Sequence, residues 1–155
     1  MTIDVSWLYT NIPHRKGIRA VKQALENNNN QEPKIWIILR LLHLILTKTA
    51  FSFNGKFYEQ LAGTTMGTKC APIYAILFMN KIETEFLANR PLKPLVWWQF
   101  IDDIFSIWLH GREELNSFIT ALNSFHPTIK ITIETSETKI NFLDTTIQIE
   151  SDGKI

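Results

Sequence analysis

The sequence predicts an α+β layer, an antiparallel sheet with helices packed mainly on one face, and three observations predict it. Short β-branched and aromatic runs alternate with longer stretches whose apolar residues recur at helical spacing. Two of the runs, Val96 to Phe100 and Ile104 to Trp108, flank two neighbouring carboxylates and read as a hairpin of buried strands with acids at its tip. Acid-bearing strands stand far apart in the chain with helices between them, an order that one sheet covered by helices satisfies. The 155 residues are 45% hydrophobic and include ten Phe and five Trp, enough for one core, and they show no internal repeat or interdomain linker. A single domain is expected.

The first five residues read as a strand that delivers Asp4. Trp7, Leu8 and Tyr9 lead on to Asn11 and Pro13, which suit a helix start. Ile18, Val21 and Leu25 keep helical spacing until the asparagines 27–30 end it. Lys34 to Thr49 reads as a second helix, apolar nearly all round and therefore mostly buried. Phe51 to Tyr58 reads as a hairpin about Asn54-Gly55.

Gly63 to Pro72 is a loop whose two glycines let backbone approach a ligand closely, and Pro72 suits the first turn of a helix reaching about Leu87. That helix is expected to turn Ile73, Ile76, Leu77 and Ile82 inward. After the acidic hairpin, Gly111 precedes a helix striped with Leu115, Phe118, Ile119, Leu122 and Phe125 and stopped at His126-Pro127. Ile129, Ile131 and Ile133 then alternate with polar residues in a half-buried strand. A last strand carries Ile140 and Phe142, then Ile147 and Ile149, and the slipped phase near Leu143-Asp144-Thr145 predicts a bulge or bend.

Asp102 and Asp103 are the chemically telling pair. Adjacent carboxylates flanked by Phe100, Ile101, Ile104 and Phe105 raise each other's pKa and resist rehydration. A divalent cation turns that repulsion into ligation through oxygen. The alternative is a polar turn in which both acids face water.

Composition narrows the class. A net charge of +1 falls short of the strongly basic balance of a self-sufficient nucleic-acid binder, although the first 56 residues hold eight Lys and Arg against three acids. The single cysteine, Cys70, excludes an internal disulfide and a cysteine-cluster metal site and fits a reducing compartment. The longest apolar stretch, Ile35 to Leu46, is too short to span a bilayer and no signal peptide is recognisable. An intracellular chain with no membrane partner is expected.

Taken jointly, the motifs resemble a reverse transcriptase palm, a ferredoxin-like antiparallel sheet, and their wording is most similar to the Penelope-like retroelements. Asp4-Val5-Ser6-Trp7-Leu8-Tyr9-Thr10-Asn11-Ile12-Pro13 resembles polymerase motif A. Gly63 to Pro72 resembles motif B, and Phe100-Ile101-Asp102-Asp103 resembles motif C. Leu122-Asn123 to Glu134 and Asn141-Phe142-Leu143-Asp144 resemble motifs D and E. The resemblance covers nearly the whole chain.

It implies an RNA-directed DNA polymerase that adds dNTPs to a DNA primer 3′-hydroxyl on an RNA template, using two Mg²⁺ ions, with Mn²⁺ as the alternate. Asp4 and Asp102 would bridge the ions, with Asp103 beside them and the Val5 carbonyl as a further ligand. Tyr9 would lie under the sugar of the incoming nucleotide and exclude a 2′-hydroxyl. Met66 and Gly67 would contact the nucleotide, Met66 standing where many relatives have Gln and Ala71 where they have Ser. Lys130 would be the general acid for pyrophosphate, or else a solvent-facing strand lysine. Phe142, Leu143 and Asp144 would contact the primer, although packing explains Phe142 and Leu143 equally well. The family also implies a nuclear location.

Only three residues precede Asp4, so most of the fingers is expected to be missing, as are a thumb and the GIY-YIG endonuclease many relatives carry. The expectation is a palm fragment with an intact metal triad and poor or no polymerase activity alone. The rival readings are an inactive retroelement remnant that binds RNA or a protein, and a metal-dependent nuclease using the same acids.

Overall fold

The structure is a computed structural model that describes residues 1–28 and 33–150. Its elements run β1 (Thr2–Ser6), α1 (Leu8–Asn11), α2 (His14–Asn27), α3 (Ile35–Thr47), β2 (Ala50–Phe53), β3 (Lys56–Glu59), α4 (Ala71–Ala88), β4 (Val96–Phe100), β5 (Asp103–Ile107), α5 (Arg112–Phe125), β6 (Lys130–Glu134), β7 (Lys139–Phe142) and β8 (Thr145–Gln148). They form two compact units, one of Met1–Ser6 with Glu85–Ile155 and one of Trp7–Thr84.

The first unit is built on an antiparallel sheet in the order β4-β5-β1-β6, so the strand carrying Asp4 lies between the acidic hairpin and β6. Strand period two sends alternate residues to opposite faces. Ile3 and Ile104 are register partners, both buried, and Phe86 and Phe118 cover them with ring centroids 5.1 Å apart, edge to face. The opposite face carries Asp4 and Asp103. The result is the expected α+β layer, helices on one face and acids on the other.

Two further contacts fix that layer. Asn123 of α5 accepts from the Ile131 N–H at 3.0 Å and donates to the Ile131 carbonyl at 3.3 Å, so its amide occupies both polar groups of one edge-strand residue. On the acid-bearing face, the ring of Phe142 of β7 packs at a tilt against Phe105, centroids 5.7 Å apart. This places the β7–β8 hairpin beside the acids.

Two strand expectations need correction here. The final segment is not one bulged strand but two strands joined at Leu143-Asp144, with Phe142 opposite Thr145 and Leu143 at φ 52. The apolar phase slips because the chain reverses, bringing Ile140 opposite Ile147. Of the two runs in the acidic hairpin only β5 is buried. β4 has a neighbour on one side alone, leaving Trp98 and Phe100 exposed.

The second unit holds α1, α2, α3, the β2–β3 hairpin and most of α4. Its hairpin turns at Asn54 (φ 50) and Gly55 (φ 72), both positive as a type I′ turn requires. α2 ends at Asn27, while the rest of the predicted stop at Asn29 and Asn30 lies outside the described residues. A single helical turn, α1, follows Trp7, which sits at φ 57. Sequence periodicity had no means of showing four residues of helix.

The helix faces also differ from expectation. α3 buries only Leu42 and Leu46, because it packs along one stripe, and Trp36 and Leu41 stay exposed. α4 turns inward Ala71, Tyr74, Ala75, Phe78, Met79 and Ile82, whereas Ile73 is exposed and Ile76 and Leu77 are half-buried. A helix apolar nearly all round has two stripes at helical spacing, and the one carrying the larger Tyr74 and Phe78 buries more area. Gly17 of α2 makes room for it: a Cβ there would fall 2.0 Å from the Tyr74 hydroxyl oxygen. Among the described residues no helix is long and apolar enough to cross a membrane.

Candidate active site

β1 and β5 pair so that Asp4 stands directly opposite Asp103, one residue along from the buried Ile3–Ile104 pair. Directly opposed residues on one sheet face lie within about 4.5–5.5 Å at Cβ, and like charges so placed repel. The Asp103 carboxyl is accordingly pushed above the usual carboxylate range, first by burial and then by the charges of Asp102 and Asp4. Asp4 is exposed and takes a neutral partner, accepting a hydrogen bond from the Thr132 hydroxyl at 3.3 Å.

Asp102 sits in the two-residue turn between Phe100 and Asp103. The other turn residue, Ile101, is held at φ 55, a conformation that favours glycine and is rare for a β-branched side chain. The Asp102 carbonyl accepts from the Val5 N–H at 3.0 Å, tying the turn to the residue after Asp4. Asp4 on β1, Asp103 on β5 and Asp102 in the β4–β5 turn thus lie at one end of the sheet. They are hard oxygen donors of one sign, a set suited to a divalent cation. Among the described residues, however, no three His, Cys, Asp or Glu side chains converge closely enough to hold a metal ion as they stand.

A cleft of about 260 Å³ opens on this face, with Asp4, Asp103, Thr132, Glu134, Phe142 and Leu143 in its walls. It joins two predicted groups, since metal-ligand and primer-contact candidates share one space. Asp144 is exposed at the hairpin turn outside the cleft lining, and Lys130 reaches the Asn123 carbonyl at 3.5 Å. Thr132 and Glu134 escaped sequence reasoning as site residues. Their alternation with Ile131 and Ile133 was visible, but the β1–β6 register that sets Thr132 opposite Asp4 was not.

The nucleotide-contact candidates lie in the second unit. Tyr9 is half-buried in α1 and its carbonyl accepts from the Thr64 N–H at 2.7 Å. Gly63, at φ 72, donates its N–H to the Ile12 carbonyl at 3.0 Å, and a Cβ on it would meet the Tyr9 carbonyl oxygen at 2.3 Å. The motif B loop therefore begins by lying along the Tyr9–Ile12 backbone. Met66 is exposed, and a Cβ at Gly67 would meet open space. The indispensable glycine for packing is Gly63; at Gly67 only a ligand could require one. Sequence reasoning noted both glycines and could not tell these roles apart.

The sheet, its helix-covered face and the acid-bearing turn define a palm-like layer of the polymerase type. A family model described as reverse transcriptase (RNA-dependent DNA polymerase) matches residues 1–149, and the chain belongs to that family. Among solved structures it is similar to apo telomerase from Candida tropicalis truncated from its C-terminal domain, at 14% identity and a TM-score of 0.62. That match covers 95% of this chain and 33% of the telomerase chain, so this chain spans about a third of it, and at that identity the likeness is one of fold. Among curated proteins, none matches the chain. Reverse transcriptases as a family generally use divalent metal ions.

Proposed function

We propose that these 155 residues are a reverse transcriptase palm of the Penelope-like kind, a single functional module that works with fingers and thumb segments in RNA-templated addition of dNTPs to a primer 3′-hydroxyl. The observation that carries the reading is the β1–β5 register. It faces Asp4 with Asp103 beside a strained turn bearing Asp102, in a sheet whose other face is buried. Strain kept at a turn that also concentrates negative charge has a cost, and a site for cations accounts for both.

In this reading Asp4, Asp102 and Asp103, with the Val5 carbonyl, would hold two Mg²⁺ ions. When bound, these stabilise the attacking and leaving oxygens of an in-line phosphoryl transfer. The protein's own part is positional. Thr132 orients the Asp4 carboxylate that would hold a cation, while Phe142 and Leu143 line the space for the primer end and Asp144 lies beside it. Tyr9 meets the sugar and rejects a 2′-hydroxyl, and Met66 and Gly67 lie against the nascent pair. Lys130 is the candidate donor to pyrophosphate. The reading places the protein inside the cell, in the nucleus.

Primer extension on an RNA template with Mg²⁺ tests it. Any incorporation by the chain is expected to vanish in Asp102→Asn. Robust synthesis unaffected by that substitution contradicts the reading.

A second reading is a retroelement module that binds RNA or a protein without catalysis. It predicts RNA binding that is indifferent to Mg²⁺ and to all three acids.

A further inference from the structure

We propose that His14 is a positioning residue for nucleotide selection, pinning the backbone that carries the ring of Tyr9. This rests on the reading of Tyr9 as the residue that meets the nucleotide sugar. Its physical basis is a three-bond clasp between the segment Tyr9–His14 and the start of the motif B loop. The Thr64 N–H donates to the Tyr9 carbonyl at 2.7 Å and the Gly63 N–H to the Ile12 carbonyl at 3.0 Å. His14 Nε2 closes the clasp on the Gly63 carbonyl at 2.7 Å. A carbonyl oxygen only accepts, so Nε2 carries the proton.

The clasp uses both backbone polar groups of Gly63, and φ 72 with no space for a Cβ holds that residue flat against Tyr9 and Thr10. Two of the three bonds are backbone to backbone and no substitution of a side chain removes them. The His14 bond is the one supplied by a side chain. Without it, the part-buried Gly63 carbonyl loses this partner and the 63–64 segment keeps two of its three bonds to residues 9–14. Tyr9 is carried on the backbone to which that segment is bonded, so looseness at Gly63 becomes looseness at the ring. Sugar discrimination by a side chain is a matter of fit. A displacement of about 1 Å in a positioned group changes rates on the order of 10²-fold, and the distinction between a hydrogen and a hydroxyl at the 2′ position falls within that range.

The experiment measures the affinities of the chain for dTTP and for its ribonucleotide counterpart 5-methyl-UTP, which differs only at the 2′ position, with Mn²⁺ present, in the wild type, Tyr9→Ala, His14→Phe, His14→Leu and His14→Gln. Hydrogen exchange at the Thr64 amide is followed in the same proteins. His14→Phe keeps a ring of similar volume without the donor, and His14→Gln restores a donor. The expected result is a dTTP preference that Tyr9→Ala abolishes and that His14→Phe and His14→Leu reduce by about fivefold or more. Faster Thr64 exchange should accompany the reduction, and His14→Gln should recover both.

A wild type without a dTTP preference, or with one that Tyr9→Ala leaves intact, overturns the reading of Tyr9 and the inference with it. A preference lost in Tyr9→Ala but unchanged in the His14 variants overturns the inference alone. Unfolding of both non-donor variants assigns His14 to stability rather than positioning and likewise overturns it.

Discussion

At the scale of single residues the decisive group is Asp103, whose carboxyl burial and the neighbouring charges of Asp102 and Asp4 push above its ordinary value. The folded state then binds its proton more tightly than the unfolded chain does. The group's contribution to stability therefore falls as pH rises from the unfolded carboxyl value through the folded one. Asp103→Asn is expected to melt higher than the wild type at neutral pH, with the gap closing at about pH 3.8 and below. Added Mg²⁺ should raise the melting temperature of the wild type and leave that of the variant unchanged. Thermal melts at the two pH values, with and without metal, read both effects. An acid held at a cost in the free chain and relieved by a cation is the signature expected of a ligand rather than of a solvated turn.

Ile101 makes a sharper point about what residues disclose. A β-branched residue at φ 55 costs about 1–2 kcal/mol relative to an unstrained position. Ile101→Gly relieves this while giving up a half-buried side chain, so its stability should stay within about 1 kcal/mol of the wild type. Ile104→Ala, at a residue 2% exposed, should lose roughly 2–5 kcal/mol. Denaturant melts compare them. The acids at 102 and 103 and the apolar flanks were plain in the sequence. The strain was not, because nothing in the residue type Ile announces a positive φ.

At the scale of elements, what the sequence disclosed tracks how local the cause is. The Asn54-Gly55 hairpin is written in two residues and stands as expected. The Gly111 start and His126-Pro127 stop of α5 likewise bound the helix within a residue. α3 and α4 are legible in the sequence as helices but not as surfaces, since which of two apolar stripes is buried depends on partners elsewhere in the chain. Gly17 is the case in point. Alanine is the better helix former there by about 1 kcal/mol. Yet a Cβ at Gly17 falls 2.0 Å from the Tyr74 hydroxyl oxygen. Gly17→Ala should therefore destabilise the protein by about 1–3 kcal/mol, read as a lower denaturant midpoint. Gly67→Ala, whose Cβ meets open space, should leave that midpoint unchanged while weakening dTTP binding.

At the scale of the whole molecule, the site is a consequence of sheet order. Placing β1 between β5 and β6 brings residues 4, 103 and 132 onto one face, although residue 4 lies about a hundred or more positions from the other two in the chain. Sequence reasoning singled out the three acids because their motifs are short and ordered, and the family match over residues 1–149 spans all three. Thr132 and the shared cleft with Phe142 and Leu143 required the register and the folded-back β7–β8 hairpin, neither of which any local pattern encodes. The same sheet also explains why metal affinity should be a joint property of distant residues. Calorimetric titration of Mn²⁺ into the wild type, Asp4→Asn, Asp102→Asn and Asp103→Asn tests this most directly. The account predicts that each substitution weakens binding by at least about tenfold, about 1.4 kcal/mol. Equal affinity in all four proteins would contradict it.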